Sequence, residues 1–136
     1  MKKLVLILFT LCCIGISFSQ IKTPQPSPSS TLKQTVGITE ITVNYSRPGA
    51  KDRTIFGELV PYNKIWRTGA NKATAITFKS DVIFGETKVK KGTYSLFTVP
   101  GESEWVVMLN KETELWGAGN YNCLLYTSPS PRDRYI

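Results

Sequence analysis

At 136 residues the chain has room for one folded domain. Its composition, 41% hydrophobic and 20% charged, is that of a globular protein, and the absence of histidine excludes His-based acid–base catalysis, Ser-His and Cys-His nucleophilic pairs and His-ligated zinc. The net charge of +7 falls to +5 once Lys2 and Lys3 are set aside, and the basic residues are scattered, which argues against nucleic acid as a partner.

Residues 1–19 have the layout of a secretory signal peptide. Lys2 and Lys3 supply the positive start, residues 4–16 the apolar core, and Ser17 and Ser19 the small residues before a cut at Gln20. The apolar run falls short of the roughly 20 residues a spanning helix needs, so no stable membrane span is expected in the mature chain. Periplasmic or extracellular localisation is expected instead. Cys12 and Cys13 would leave with this segment, and Cys123 alone could form no intramolecular disulfide. Residues 20–31 (QIKTPQPSPSST) read as an extended Pro/Ser-rich linker.

Strand patterns follow. Residues 32–46 alternate at Ile41, Val43 and Tyr45, with a bend expected at Gly37, and Pro48-Gly49 ends the run. Residues 50–54 form a basic loop, and two short apolar pieces follow it, at 55–60 and 65–68. Residues 73–78 alternate again, with Thr74, Ile76 and Phe78 on one face. Residues 82–84 and 87–89 flank a Gly85-Glu86 hairpin turn. Residues 93–99 are rich in β-branched and aromatic side chains, and 105–109 return with Trp105, Val107 and Leu109 in phase. No window has a helical period. Short strands with regular turn signals predict an all-β antiparallel sandwich of jelly-roll or Ig-like type.

Five motifs then occur in order: YSRP (45–48), the Lys51–Arg53 pair, IFGELVPY (55–62), WRTGAN (66–71) and GTYSLFTVPG (92–101). With the signal segment they resemble the secreted bacterial domain-of-unknown-function family 2911, over about residues 27–122. The resemblance implies an exported, mostly β domain, and it carries no catalytic residues or activity with it. It also implies an acidic turn and a further strand after WGAGNYN (116–122). The chain instead ends CLLYTSPSPRDRYI, which looks like translated sequencing-adapter DNA. The expectation is a sandwich domain over 32–122 with its last strand or strands missing, followed by a non-native tail at 123–136. Ser128-Pro129-Ser130-Pro131 cannot form a central strand, because each proline removes a ladder donor.

Stretch 44–78 holds the densest mix of guanidinium and aromatic groups. Arg47, Lys51, Arg53 and Arg67 suit an anion, since guanidinium forks match carboxylate or phosphate oxygens, and Asn71 could add a donor. Trp66 and Trp116 could serve as aromatic platforms for a sugar, whereas Trp105, in phase with Val107 and Leu109, is expected to pack in the core. The expected role is non-catalytic binding of a small anionic or carbohydrate ligand, or of an envelope protein. Two alternatives stand beside it. One is a hydrolase using Asp52 and Glu58, with Arg67 stabilising charge. The other is a purely structural envelope protein in which Arg47 and Arg67 pair with Asp52 or Glu58. No cofactor is expected, and Glu102, Glu104, Glu112 and Glu114 lack the loop spacing of a calcium site.

Overall fold

The computed structural model describes residues 23–118 and the strand at 126–129. The expected signal segment and most of the expected foreign tail, including Cys123, lie outside the described residues. The elements are β1 (Ser29–Val36), β2 (Thr39–Ser46), β3 (Thr74–Phe78), β4 (Val82–Phe84), β5 (Thr87–Val89), β6 (Gly92–Pro100), β7 (Trp105–Asn110) and β8 (Tyr126–Pro129). The fold is all-β and sandwich-like. A six-stranded antiparallel sheet runs β1-β2-β3-β6-β7-β8, and the β4–β5 ribbon forms a second, smaller sheet.

The stretch expected to bend at Gly37 is a hairpin of two full strands. Val36 pairs with Thr39, leaving Gly37-Ile38 as a two-residue turn. Gly37 takes φ 60°, which fits the turn type that requires glycine at its first central position. β1 begins at Ser29, inside the stretch read as linker, because Ser29 and Ser30 pair with Ser46 and Tyr45. The Gly85-Glu86 turn forms as expected, with Phe84 paired to Thr87.

Part of the stretch read as a non-native tail forms a strand, β8, which pairs with β7 from Val106 to Leu109. An edge strand needs ladder donors on one side only, so Pro129 at the end of β8 is tolerated there. The opposite edge of the sheet is β1, with Leu32 54% and Val36 58% exposed.

The alternation along the strands builds a core on each face of the large sheet. On one face Phe78, Tyr94 and Leu109 are buried under Val89 of β5, with Val82 and Phe84 beside it. The ribbon thus covers one half of this face. On the other face Phe97 and Met108 are buried against Ala73 and Leu115. Leu115 belongs to an arch, residues 111–118, that turns back across the sheet after β7. Ala73 N–H donates to the Leu115 carbonyl at 3.0 Å, and Lys72 and Trp116 form an isolated antiparallel bridge. The arch covers the β6–β7 half of this face and leaves the β1–β2–β3 half open. Each large side chain buried this way stabilises the fold by about 1.5–3 kcal/mol.

Asp81 ties the ribbon to the sheet. The Lys91 backbone N–H donates to its Oδ1 at 2.8 Å, and the Lys90 ammonium donates to Oδ2 at 3.1 Å. These contacts, the backbone bond foremost, hold the carboxyl below its ordinary value of 3.8. A carboxyl whose folded pKa is depressed adds stability that is complete above the unfolded pKa and is lost as pH falls through the folded one. The melting temperature of Asp81→Asn is therefore expected to be lower than wild type at neutral pH and to converge on it as the solution is acidified below 3.8. Thermal melts of both proteins across pH 2 to 7 check this, and parallel curves would contradict it.

Candidate functional site

Between β2 and β3 the chain spends residues 47–73 without regular strand. Among the described residues every non-glycine with positive φ lies in this loop: Lys51, Asp52, Asn63, Thr68 and Asn71. Asparagine tolerates that region, but a β-branched threonine is an outlier there, and such strain persists only where neighbours over-determine it. Thr68, at φ 57°, is held by its own contacts and by those of its neighbour Trp66. Its carbonyl accepts from Thr74 Oγ1 at 2.6 Å, its hydroxyl meets Thr98 Oγ1 at 3.1 Å, and Trp66 exchanges backbone hydrogen bonds with Thr98 at 2.7 and 2.9 Å. The two residues flanking Arg67 are therefore pinned to β3 and β6, and Arg67 is placed by the sheet although it lies on a loop.

The aromatic residues of the loop form part of the packing. Phe56, Trp66 and Trp105 make an edge-to-face triad with centroids 5.0 to 6.3 Å apart. Trp105 is half-buried in this triad and joins neither core, so it packs against the loop aromatics rather than in the core that its phase in the strand implied. One wall of a groove of about 530 Å³ is Trp66, and Arg67 and Arg53 lie along it, with Ile55, Leu59 and Val60. Among the described residues the only charged ones lining this groove are these two arginines. Arg53 is fixed by its own loop: Nε donates to the Ala50 carbonyl at 2.9 Å and Nη2 to the Gly49 carbonyl at 2.7 Å. Residues 50–53 make a tight turn with Lys51 and Asp52 both left-handed, closed by Arg53 N–H to the Ala50 carbonyl at 3.2 Å. Arg67 is half-buried, and its Nε is buried with no hydrogen-bond partner. A buried, unpaired donor on a cation is uncommon, because it forfeits hydration without recovering a bond.

A second groove, of about 630 Å³, lies on the open half of the opposite core face. Its floor is Asn44, Ser46 and Ala75, one wall is the segment 25–27, and the other wall is the arch with Glu114 and Trp116. Asn71 sits at its end, with Nδ2 donating to the Ser27 carbonyl at 3.3 Å and to Ser46 Oγ at 3.4 Å. Lys72 and Glu114 pair across the rim.

The candidates read from the sequence thus divide. Arg53, Trp66 and Arg67 meet in the first groove, while Asn71 and Trp116 border the second. Arg47 and Lys51 are exposed and line neither; the Arg47 backbone N–H donates to the Pro28 carbonyl at 2.9 Å. The internal network expected between Arg47 or Arg67 and Asp52 or Glu58 does not form. The ion pairs among the described residues are Lys72–Glu114 and Lys90–Asp81, and neither involves an arginine. Asp52 and Glu58 are exposed and line neither groove, because the turn at 50–53 and the bend at Gly57 carry them outward. No group of three acidic or cysteine residues suited to a metal ion occurs among the described residues.

The sequence reading missed the second groove. Asn44 alternates with apolar neighbours and so reads as solvent-facing, and Ser95 lies within the most strongly β-patterned run. Only the register, which sets Asn44 beside Ala75, Ala75 beside Ser95 and Ser95 beside Asn110, brings these polar residues into one row.

A family model described as "Protein of unknown function (DUF2911)" matches residues 27–125. No curated protein and no solved structure matches the chain.

Proposed function

The chain belongs to the DUF2911 family, and for this member we propose a non-catalytic, exported module that captures a small anion in the groove of Arg53 and Arg67. The observation that carries this reading is the buried Nε of Arg67, without a hydrogen-bond partner among the described residues, in a groove whose described lining carries no charge but two guanidinium groups. An anion entering there supplies the missing acceptor. A carboxylate or phosphate can take Nε and one terminal nitrogen of Arg67 together, which is the fork geometry that gives arginine its preference for such oxygens. The apolar side, with Ile55, Leu59, Val60 and the edge of Trp66, lowers the local dielectric and strengthens the pair. Among the described residues no carboxylate lines the groove to compete. The pattern of residues 1–19 supports export, so the ligand is one met outside the cytoplasm.

The test is a titration of the protein with inorganic phosphate, acetate and citrate, followed through the Arg67 Nε–Hε resonance. At least one anion is expected to move that resonance saturably, with affinity falling as sodium chloride is raised. If all three leave it in place up to tens of millimolar, the anion reading is wrong.

A further inference from the structure

The second groove differs from the first in its chemistry. Among the described residues its only lining charges, Lys72 and Glu114, are paired with each other, so its described lining presents no uncompensated charge. What it offers otherwise is amide and hydroxyl groups from Asn44, Asn71, Ser27, Ser29 and Ser46, with the indole of Trp116 at its edge. Trp116 is 72% exposed, an unusual position for the largest apolar side chain, and it is held there by the backbone bridge to Lys72. Exposed aromatic faces beside hydrogen-bonding groups mark binding surfaces more often than chance exposure does.

A second observation lies beneath the arch. Along the row Asn44–Ala75–Ser95–Asn110, the groove floor ends at Ala75, and Ser95 is the next residue in register. Neighbouring strands are about 4.8 Å apart, so the floor stops one strand short of Ser95. Ser95 is 0% and Asn110 3% exposed, and Ser95 Oγ and Asn110 Nδ2 have no hydrogen-bond partner. Asn110 is oriented, because its Oδ1 accepts the Glu112 N–H at 2.9 Å at the start of the arch. Two orphaned polar atoms in one cross-strand pair call for a polar partner that enters from the groove side.

We propose that this groove is a binding site for a neutral saccharide. A sugar ring stacks on Trp116, its hydroxyls exchange hydrogen bonds with Asn44 and Asn71, and the inner end of the ligand, directly or through one ordered water, satisfies Ser95 and Asn110. A neutral sugar matches the paired charges, the aromatic face and the amide and hydroxyl groups of the lining together. A volume of about 630 Å³ suits a ligand of one to a few rings. The site is independent of the anion groove, since the two share only Ser27 in their linings.

The experiment titrates the full chain with neutral di- and trisaccharides of glucose, galactose, mannose and N-acetylglucosamine, reading tryptophan emission and confirming by calorimetry. At least one sugar is expected to give a saturable blue shift. Trp116→Ala should weaken that sugar at least about tenfold while leaving the melt in place, because the side chain is exposed. Asn44→Ala, also at an exposed position, should weaken it as well. Arg67→Met should weaken whichever of phosphate, acetate and citrate binds at least about tenfold and spare the sugar response, which separates failure of one reading from failure of the other. The proposal is overturned if no sugar in the set saturates, if Trp116→Ala binds as wild type does, or if only peptides bind in the groove.

Discussion

Arg67→Met is expected to leave the melting temperature unchanged or to raise it, while weakening anion binding at least about tenfold. A structural guanidinium would behave otherwise: breaking a buried pair by removing one partner costs about 3–5 kcal/mol, because the other charge is left stranded. Arg67 strands nothing when it is removed, for it forms no ion pair among the described residues and its Nε has no partner. Methionine keeps the apolar stem that lies along the groove and deletes only the unsatisfied polar head. The unliganded protein therefore loses a desolvation penalty of about 1–3 kcal/mol and gives up no bond. With ligand the sign reverses, since charge-assisted hydrogen bonds contribute about 1.5–3 kcal/mol each. Thermal melts with and without phosphate, on both proteins, check the two halves at once. A fall in stability without ligand would return Arg67 to a structural role.

Phe97→Ala is expected to have the largest effect on stability of any single truncation, about 3–5 kcal/mol. Phe97 is fully buried, and it is the residue of β6 against which Leu115 of the arch and Met108 of β7 close. A domain of this size has about 5–15 kcal/mol in total, so the variant should sit near the edge of folding. Urea denaturation reads the result as a large drop in midpoint with little change in slope. Because Phe97 anchors the arch, the same variant should also lose the wall that carries Trp116. A cost below about 1 kcal/mol would mean that the arch is not seated on this core.

Much of the fold was legible from local pattern. Ile41 of the first period-two run and Ile76 and Phe78 of the second pack in the core as read, and Gly85-Glu86 turns where a glycine allows φ 63°. Gly37 was legible as a break but not as a hairpin, because one glycine signals a bulge and a turn alike. The linker boundary was misjudged for a related reason. Ser29 and Ser30 have weak strand preference, and they become strand only because β2 offers them a ladder.

The candidate site was legible as composition and illegible as geometry. Stretch 44–78 stood out as basic and aromatic, and Arg53, Trp66 and Arg67 do share a groove. Which cations turn inward was decided by turns that composition does not encode. The turn at 50–53 holds Arg53 against its own carbonyls and turns Lys51 and Asp52 out, and Thr68, strained and pinned to β3 and β6, sets Arg67 in place.

By itself the sequence determined the class of the fold, the absence of histidine chemistry, the family resemblance and the general region of the basic groove. These depend on residue type and on spacing within one strand or turn. The tertiary structure alone decided that Arg67 forms no ion pair among the described residues, that Asp52 and Glu58 line neither groove, and that Asn44, Ser95 and Asn110 share one cross-strand row. Those facts depend on which strands become neighbours and in what register, and that is settled by the burial of two core faces together, a sum over the whole chain that no single stretch contains.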